Sequence, residues 1–555
     1  MNYRRHFQRL LLFALLTGIA AQAQEFSVLF QFGDAPGDPI NPPNSGMIAQ
    51  GRDGNLYSTT YIGGENPAHG AVFRITPAGE VSIVYSFRGS SDGTNPLGGL
   101  TLATDGTLYG TTGGGYGTIF KVSTNGVLTT LHHFNSKDGA NPYSPPIQGT
   151  DRNWYGTTQN GGLFGYGTVY RLTESGAFTT LYNFDFTHGA FPYAPLVQGS
   201  GGGFYGTAAS GGTHGGGVIY SITGSGKFTV VYNFEGVHGA RPIGPLIQGN
   251  DGAFYGTTAE GGIDSGGVVF RMTSAGEVSV LHNMDLDMEG GRPYAGLVQA
   301  TDGNLYSVNA NGGSSANCGV NGCGTLFEIS PAGDFSLLRS FDADTGSEPV
   351  ATLLQHTSGV LLGDTFCGGK GTGLSFCSPQ YSGGVFYQLD AGLSPFVTFL
   401  PQLSQGKVGD VAQIFGQGFT GTSRVSFNGT TATFEVVEDT FIVASVPNGA
   451  TTGQVTVSTP GGNLTSNLVF HVAPQLLSFS PSSGPVGTQV TIKGVSLKQA
   501  LGVGFGNEVP ATGLIIVSDD EVKATVPPGA VTGPVGVQTR GGIAISKQAF
   551  TVTKK

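Results

Sequence analysis

Charge is scarce in this chain, and so are cysteine, methionine and tryptophan. Only 11% of its 555 residues are charged, and it holds four cysteines, five methionines and one tryptophan. Scarce charge beside 38% hydrophobic and 10% aromatic residues excludes a solvated, disordered chain. No sustained helical period of apolar residues follows the N-terminus, which excludes a helical bundle or solenoid. After the N-terminus no apolar run reaches about 18 residues, so no membrane span is expected. Basic residues are sparse in the middle of the chain: residues 24–394 carry 13 basic and 28 acidic side chains, against 9 and 8 in residues 395–555. A surface of that sign repels a phosphate backbone, so nucleic acid is excluded as a partner.

Glycine is abundant, at 95 residues, and it punctuates a repeat. The unit is clearest from Leu246 to Met284: an apolar run, an Asp-Gly turn, an aromatic-Tyr-Gly-Thr-Thr run and a Gly-rich loop come first. A β-branched run, an Ala-Gly turn and a third apolar run complete it. The motif position recurs at Tyr57, Tyr109, Tyr155, Tyr205, Tyr255, Tyr306 and Leu362, with spacings of 52, 46, 50, 50, 51 and 56. Short strands at a period near 50 fit the four-stranded blades of a β-propeller. The expected fold is all-β: a seven-bladed β-propeller over residues 24–394, followed by two immunoglobulin-like β-sandwiches.

Turns name the strands within a unit. Strand A precedes the Asp-Gly, B is Phe254 to Thr258, C is Val268 to Met272, and D is Val278 to Met284. The A–B and C–D hairpins are short and share one face of an up-and-down meander. The B-to-C and D-to-A connections are longer and vary, and they form a loop face where binding is expected. Residues 26–32, FSVLFQF, match the D-strand pattern of FTTLYNF at 178–184 but precede any A, B or C strand. They are expected to complete the seventh blade, which would remove exposed sheet edges.

Tyr155-Gly156-Thr157-Thr158 and Gly167-Thr168-Val169-Tyr170 resemble the GloVer tandem-repeat family of secreted bacterial proteins. The resemblance covers about residues 46 to 390, departs at Leu362-Gly363-Asp364-Thr365, and supplies no catalytic residue. Two later segments repeat each other, with Val408-Gly409 matching Val486-Gly487 and Phe427 matching Phe505. Phe479-Ser480-Pro481 and Ser483-Gly484-Pro485-Val486-Gly487 resemble the IPT/TIG family. That resemblance implies two Ig-like spacer or contact domains at 395–473 and 474–555, joined by a semi-rigid stalk at Pro474.

The N-terminus reads as a Sec-type secretory signal over residues 1–23: Arg4, Arg5 and Arg9, an apolar Leu10 to Leu16, then Ala21-Gln22-Ala23. The mature protein is expected outside the cytoplasm, in the periplasm, at the cell surface or in the medium, as a monomer. An exported chain with four cysteines favours disulfides. Cys318, Cys323, Cys367 and Cys377 allow three pairings, and pairing each cysteine with its near neighbour needs no loops to meet. Spacings of five and ten fit zinc poorly.

His188 and His238 occupy a turn position held elsewhere by Asp92, Asp138 and Glu289, and His132 and His282 a D-strand position held by Tyr85, Tyr182, Tyr232 and Arg339. All four read as structural. Trp154 precedes a motif tyrosine and reads as packing. The remaining loop-face candidates are single-copy polar residues: Glu65, His69, His214, Glu260, Asp264 and Lys370. No catalytic, cofactor or metal residue is assigned. The expected function is non-catalytic binding or scaffolding toward a glycan, envelope or protein partner. The alternative is a propeller-type polysaccharide lyase or glycosidase acting through loop-face histidine and carboxylates, which requires His69 or His214 within reach of a carboxylate.

Overall fold

The structure, a computed structural model, describes residues 24–42, 47–89, 91–313, 318, 321–370, 383–506 and 509–554. The signal expected at residues 1–23 lies outside the described residues. Among those residues the regular elements are β-strands, with a 3-10 turn at Pro401–Leu403.

From Glu25 to Asp390 the chain forms seven four-stranded sheets. In unit 5, strands A to D are Ile247–Gln248, Phe254–Thr258, Val268–Met272 and Val278–Asn283, paired antiparallel in that order. Strand B is buried at all five positions, whereas strand D stays partly exposed. Neighbouring sheets cover B and C on both sides, which selects small, β-branched and aromatic residues there. The glycine of Tyr-Gly-Thr-Thr makes room for a ring on strand C. A Cβ at Gly156 would lie 2.3 Å from Tyr170 Oη, and one at Gly256 would lie 2.6 Å from Phe270 Cζ.

Asp-Gly and motif tyrosine form one device. The Tyr57, Tyr155, Tyr255 and Tyr306 hydroxyls donate to Asp53, Asp151, Asp251 and Asp302, four residues earlier, at 2.7–3.0 Å. Gly54, Gly106, Gly252 and Gly303 sit at φ of 72° to 90°, as the hairpin turn needs.

Strand β1 (Glu25–Gln31) pairs antiparallel with strand C of unit 7, Val385–Asp390. Each C–D pair of units 1 to 6 contains a register shift, and β1 repeats it between Val28 and Phe30. Phe26 of β1 lies under the Arg339 guanidinium of unit 6, 3.7 Å from the ring centre. Its place matches Phe178 beneath His132 at 3.8 Å, Phe228 beneath Tyr182 at 3.7 Å and Phe335 beneath His282 at 4.2 Å. Phe32, next in sequence, meets Phe73 of unit 1.

A second ladder joins neighbours near the A–B turns. Gln148, Gln198, Gln248, Gln299 and Gln355 each accept, through Oε1, a backbone N–H from the preceding unit at 2.8–3.1 Å. Gln50 of unit 1 does the same to Thr357 of unit 7 at 3.2 Å. Unit 2 breaks the series: Leu102 stands in that slot, buried.

The two C-terminal segments fold as sandwiches with separate cores, one around Ile414, Phe427, Val457 and Phe470, the other around Ile492, Phe505, Val537 and Phe550. The first sits on the turn face. Its Phe415 and Phe441 join Tyr57, Leu100 and Leu102 in one apolar cluster. Arg52 lies over the Phe441 ring at 4.9 Å and donates to Thr104 O at 2.6 Å and Gln413 Oε1 at 3.1 Å. Gln417 donates to Thr357 Oγ1 at 2.9 Å, and Thr440 Oγ1 to Arg52 O at 2.5 Å. The gap left by Leu102 is where the sandwich docks. Of the spacer and contact roles expected of this domain, it takes the contact role here, because it shares a core with units 1 and 2. At the second joint, Gln499 exchanges bonds of 2.9 and 3.0 Å with Thr452.

Candidate ligand-binding face

With the turn face covered at units 1 and 2, the B-to-C and D-to-A loops occupy the other side. Before each A strand, every unit carries a residue followed by proline: Asn41, Asn95, Asn141, Phe191, Arg241, Arg292 and Glu348. All seven lie at φ of 52° to 58°, a left-handed conformation that bulky residues avoid. Asparagine tolerates it, and here it also has local work. The side-chain amides of Asn41, Asn95 and Asn141 donate to Phe366 O, Tyr61 O and Gly113 O at 2.8–3.1 Å. Units 4 to 7 replace asparagine with Phe191, Arg241, Arg292 and Glu348, each held there at a cost of about 1 to 3 kcal/mol.

Two residues further on, at the entrance to strand A, stand Tyr143, Tyr193 and Tyr294, all half-buried. The Tyr143 and Tyr193 rings meet edge to face, with centres 5.2 Å apart at 73°. Gln159, at the end of strand B, donates to Tyr193 Oη at 2.5 Å. Burial, then the neighbouring Tyr193 and Tyr61, push the Tyr143 hydroxyl above its usual pKa. Arg241 pairs with Glu260 at 2.8 Å, and that bond chiefly raises its pKa, with smaller contributions from Tyr294 and Tyr193. Tyr61, Tyr143, Tyr193, Arg241, Glu260 and Tyr294 thus neighbour one another on the loop face, in a patch here termed the mouth. Desolvation raises the Glu348 carboxyl of unit 7.

Of the sequence-nominated residues, only Glu260 belongs to this mouth. Glu65, His214, Asp264 and Lys370 are exposed on separate loops, and His69 is half-buried beside Gly89. Among the described residues neither His69 nor His214 forms an ion pair with a carboxylate. The histidines that do are the repeat-slot ones. His132 lies 3.2 Å from Asp138 and His282 lies 2.7 Å from Glu289, just as Tyr85 donates to Asp92 at 2.7 Å. His188 and His238 pair with Asp185 and Glu235, three residues away, at 2.8 and 2.7 Å. These contacts close the D-to-A turns. Trp154 is buried and stacks on Tyr109, with ring centres 3.7 Å apart.

Cys318 and Cys323 are disulfide-bonded. Cys367 is also disulfide-bonded, and Cys377 lies outside the described residues. Among the described residues no group of three or more His, Cys, Asp or Glu could hold a metal ion. No helix there is long and apolar enough to cross a membrane.

Tyr143, Tyr193, Arg241 and Tyr294 escape a search for single-copy polar residues. Their signal was present: a proline thirteen residues before the motif residue in units 2 to 7, with tyrosine next to it in three of them.

The fold and the site define an all-β protein of propeller-like repeat sheets followed by immunoglobulin-like sandwiches, with a cluster of tyrosines on its loop face. The Gloeobacter/Verrucomicrobia repeat matches residues 15–152 and 145–376, more than half of the chain, and the chain belongs to that family. An IPT/TIG domain matches residues 474–553. No curated protein matches. Among solved structures, a fungal alcohol oxidase of the AA5 family, in complex with copper, is 14% identical and covers 96% of this chain and 100% of its own, with a TM-score of 0.45. A gluconolactonase from Xanthomonas campestris is 12% identical over 52% of this chain and 87% of its own, with a TM-score of 0.35. A surface glycan-binding protein from Prevotella bryantii is 18% identical over 27% of this chain and 38% of its own, with a TM-score of 0.22. At these scores none carries an argument about this chain.

Proposed function

We propose that this is an exported, monomeric, non-catalytic binding protein. Its seven sheets form a closed seven-bladed β-propeller over residues 24–394, with residues 26–32 completing the last blade. Residues 395–473 and 474–555 form two IPT/TIG domains, the first clamped to the turn face, and residues 1–23 direct export. The loop face is presented to a glycan, cell-envelope or protein partner.

One observation carries this reading: Tyr143 and Tyr193 meet edge to face and Arg241 pairs with Glu260 on the face opposite the docked sandwich. A rigid mount on one side and aromatic, strained residues on the other is the arrangement of a presenting scaffold. Two-carboxylate or histidine–carboxylate catalysis would need a convergent pair at the mouth, and its one charged pair, Arg241 with Glu260, neutralises itself.

The test is cosedimentation of the mature chain with Gram-negative cell envelopes. Substitutions on the loop face should abolish it, and substitutions of exposed turn-face residues away from the sandwich should not. Retention that ignores loop-face changes would refute the reading.

A further inference from the structure

We propose that the mouth formed by Tyr143, Tyr193, Arg241, Glu260 and Tyr294 binds the pyranose rings of a neutral oligosaccharide, an inference that rests on the loop face being the binding face.

Three independent observations select that chemistry. First, Tyr143 and Tyr193 meet at 73°, so one ring is held edge-on against the face of the other, and both remain half-buried. Rings fixed in this way offer the apolar faces that the axial C–H groups of a sugar cover, and their hydroxyls reach the sugar's own. Second, the polar component is a planar guanidinium and a carboxylate 2.8 Å apart, each side chain nearly half exposed. Together they donate and accept toward neighbouring hydroxyls while carrying no net charge. Third, residues 24–394 hold 28 acidic against 13 basic residues, a field that disfavours uronate or sulfated chains.

The strained slots overlap the site at units 4 to 6. Asparagine fills them where the side chain bonds a neighbouring loop, at units 1 to 3, and bulky residues fill them at units 4 to 7. Units 4 to 6 carry Tyr193, the Arg241–Glu260 pair and Tyr294, and Tyr143 lies beside them in unit 3, where asparagine is kept. A protein partner would prefer an apolar centre with a polar rim. Here the exposed apolar residues, Leu163, Phe164 and Ile263 among them, lie on loops tied to the D-strand residues Asn183 and Asn283, while the mouth is hydroxyl-rich and ionic.

The test is calorimetric titration of the mature full-length protein with cellohexaose, xylohexaose, mannohexaose, maltohexaose and N-acetylchitohexaose, with hexagalacturonate as the charged comparator. At least one neutral hexamer should bind. The Tyr143→Ala/Tyr193→Ala double variant should weaken it about tenfold or more, Glu260→Gln should weaken it less, and Leu163→Ser/Ile263→Ser should leave it unchanged. Matching thermal transitions would show that the variants remain folded. Silence from every neutral hexamer, tighter binding of hexagalacturonate, or unchanged affinity in the double tyrosine variant would overturn the proposal. Envelope cosedimentation separates the two levels. If the hexamers fail but rim substitutions abolish cosedimentation, the sugar inference falls and the loop face stands; if cosedimentation survives both mouth and rim substitutions, the loop-face reading falls with it.

Discussion

Gln50 and Thr357 hold the first and last repeat sheets together. The Gln50 amide donates to Thr357 Oγ1 at 2.8 Å, and its carbonyl accepts the Thr357 backbone N–H at 3.2 Å. The two residues are 307 positions apart. Gln50→Ala should destabilise the repeat region by about 1 to 3 kcal/mol, because it leaves a buried backbone donor unpaired. Chemical denaturation measures the loss, and hydrogen exchange should rise most in strand β1. Uniform exchange across all units would contradict this placement.

Strand β1 makes a second join at the same place. Deleting residues 24–33 would bare the edge of Val385–Asp390, whose partner is β1. An unpaired central strand recruits other chains. The truncated protein should lose its single cooperative transition in calorimetry and form aggregates on size exclusion. A monomeric variant melting at the same temperature would disprove the role of β1.

Phe441 belongs to the cluster shared with units 1 and 2, outside the core of its own sandwich. Phe441→Ala should therefore loosen docking by about 3 to 5 kcal/mol while both parts stay folded. Faster proteolysis near residues 391–396 and a larger radius of gyration in X-ray scattering would report the release.

His356 gives this docking a pH dependence. The ring is buried, 3.3 Å from Gly54 O and 3.4 Å from Gln417 Nε2, and burial lowers its pKa. Its folded pKa lies below the unfolded value of about 6.5, so the unfolded chain takes up the proton first. Stability should be full above about pH 6.5 and fall as the pH drops below that value. His356→Gln should flatten the profile between about pH 6.5 and 5. An unchanged profile would show that another group sets it.

Asp364 stands where the other units have Thr59, Thr111, Thr157, Thr207, Thr257 or Val308. It is fully buried, neither carboxylate oxygen has a hydrogen-bond partner among the described residues, and burial pushes its pKa up to about 8. A raised carboxyl pKa means stability is greatest below the unfolded value of about 3.9 and declines as the pH rises toward 8. Asp364→Thr should stabilise by several kcal/mol, of order 4, at pH 7 and by far less at pH 4. Melting curves at the two values would reveal the difference, and an equal gain at both would refute it.

The repeat was legible because its causes are local. Asp53 and Tyr57 lie four residues apart on one hairpin, and the same pairing recurs at Asp151, Asp251 and Asp302, so the sequence shows the device directly. The D-strand character of β1 was legible for the same reason, since FSVLFQF repeats a pattern seen in other units. The mouth was less legible. Gln159 and Tyr193 are 34 residues apart in different units, and Arg241 and Glu260 are 19 apart on different loops. Glu260 was visible as a polar loop residue, but its partner was hidden in an Arg-Pro dipeptide that reads as a turn. The docking of the first sandwich was hidden too. Its mark, Leu102 among six glutamines, acquires meaning only when Phe441 arrives from a later domain.

Leu102 also settles a matter of orientation. Six of the seven repeat sheets carry a polar glutamine rung at this position, at residues 50, 148, 198, 248, 299 and 355. The second sheet offers an apolar seat, Leu102, in place of that rung, and the sandwich packs on it. The tyrosines of units 3, 4 and 6 therefore face a fixed compass bearing relative to the C-terminal arm, and whatever they meet is met from one side.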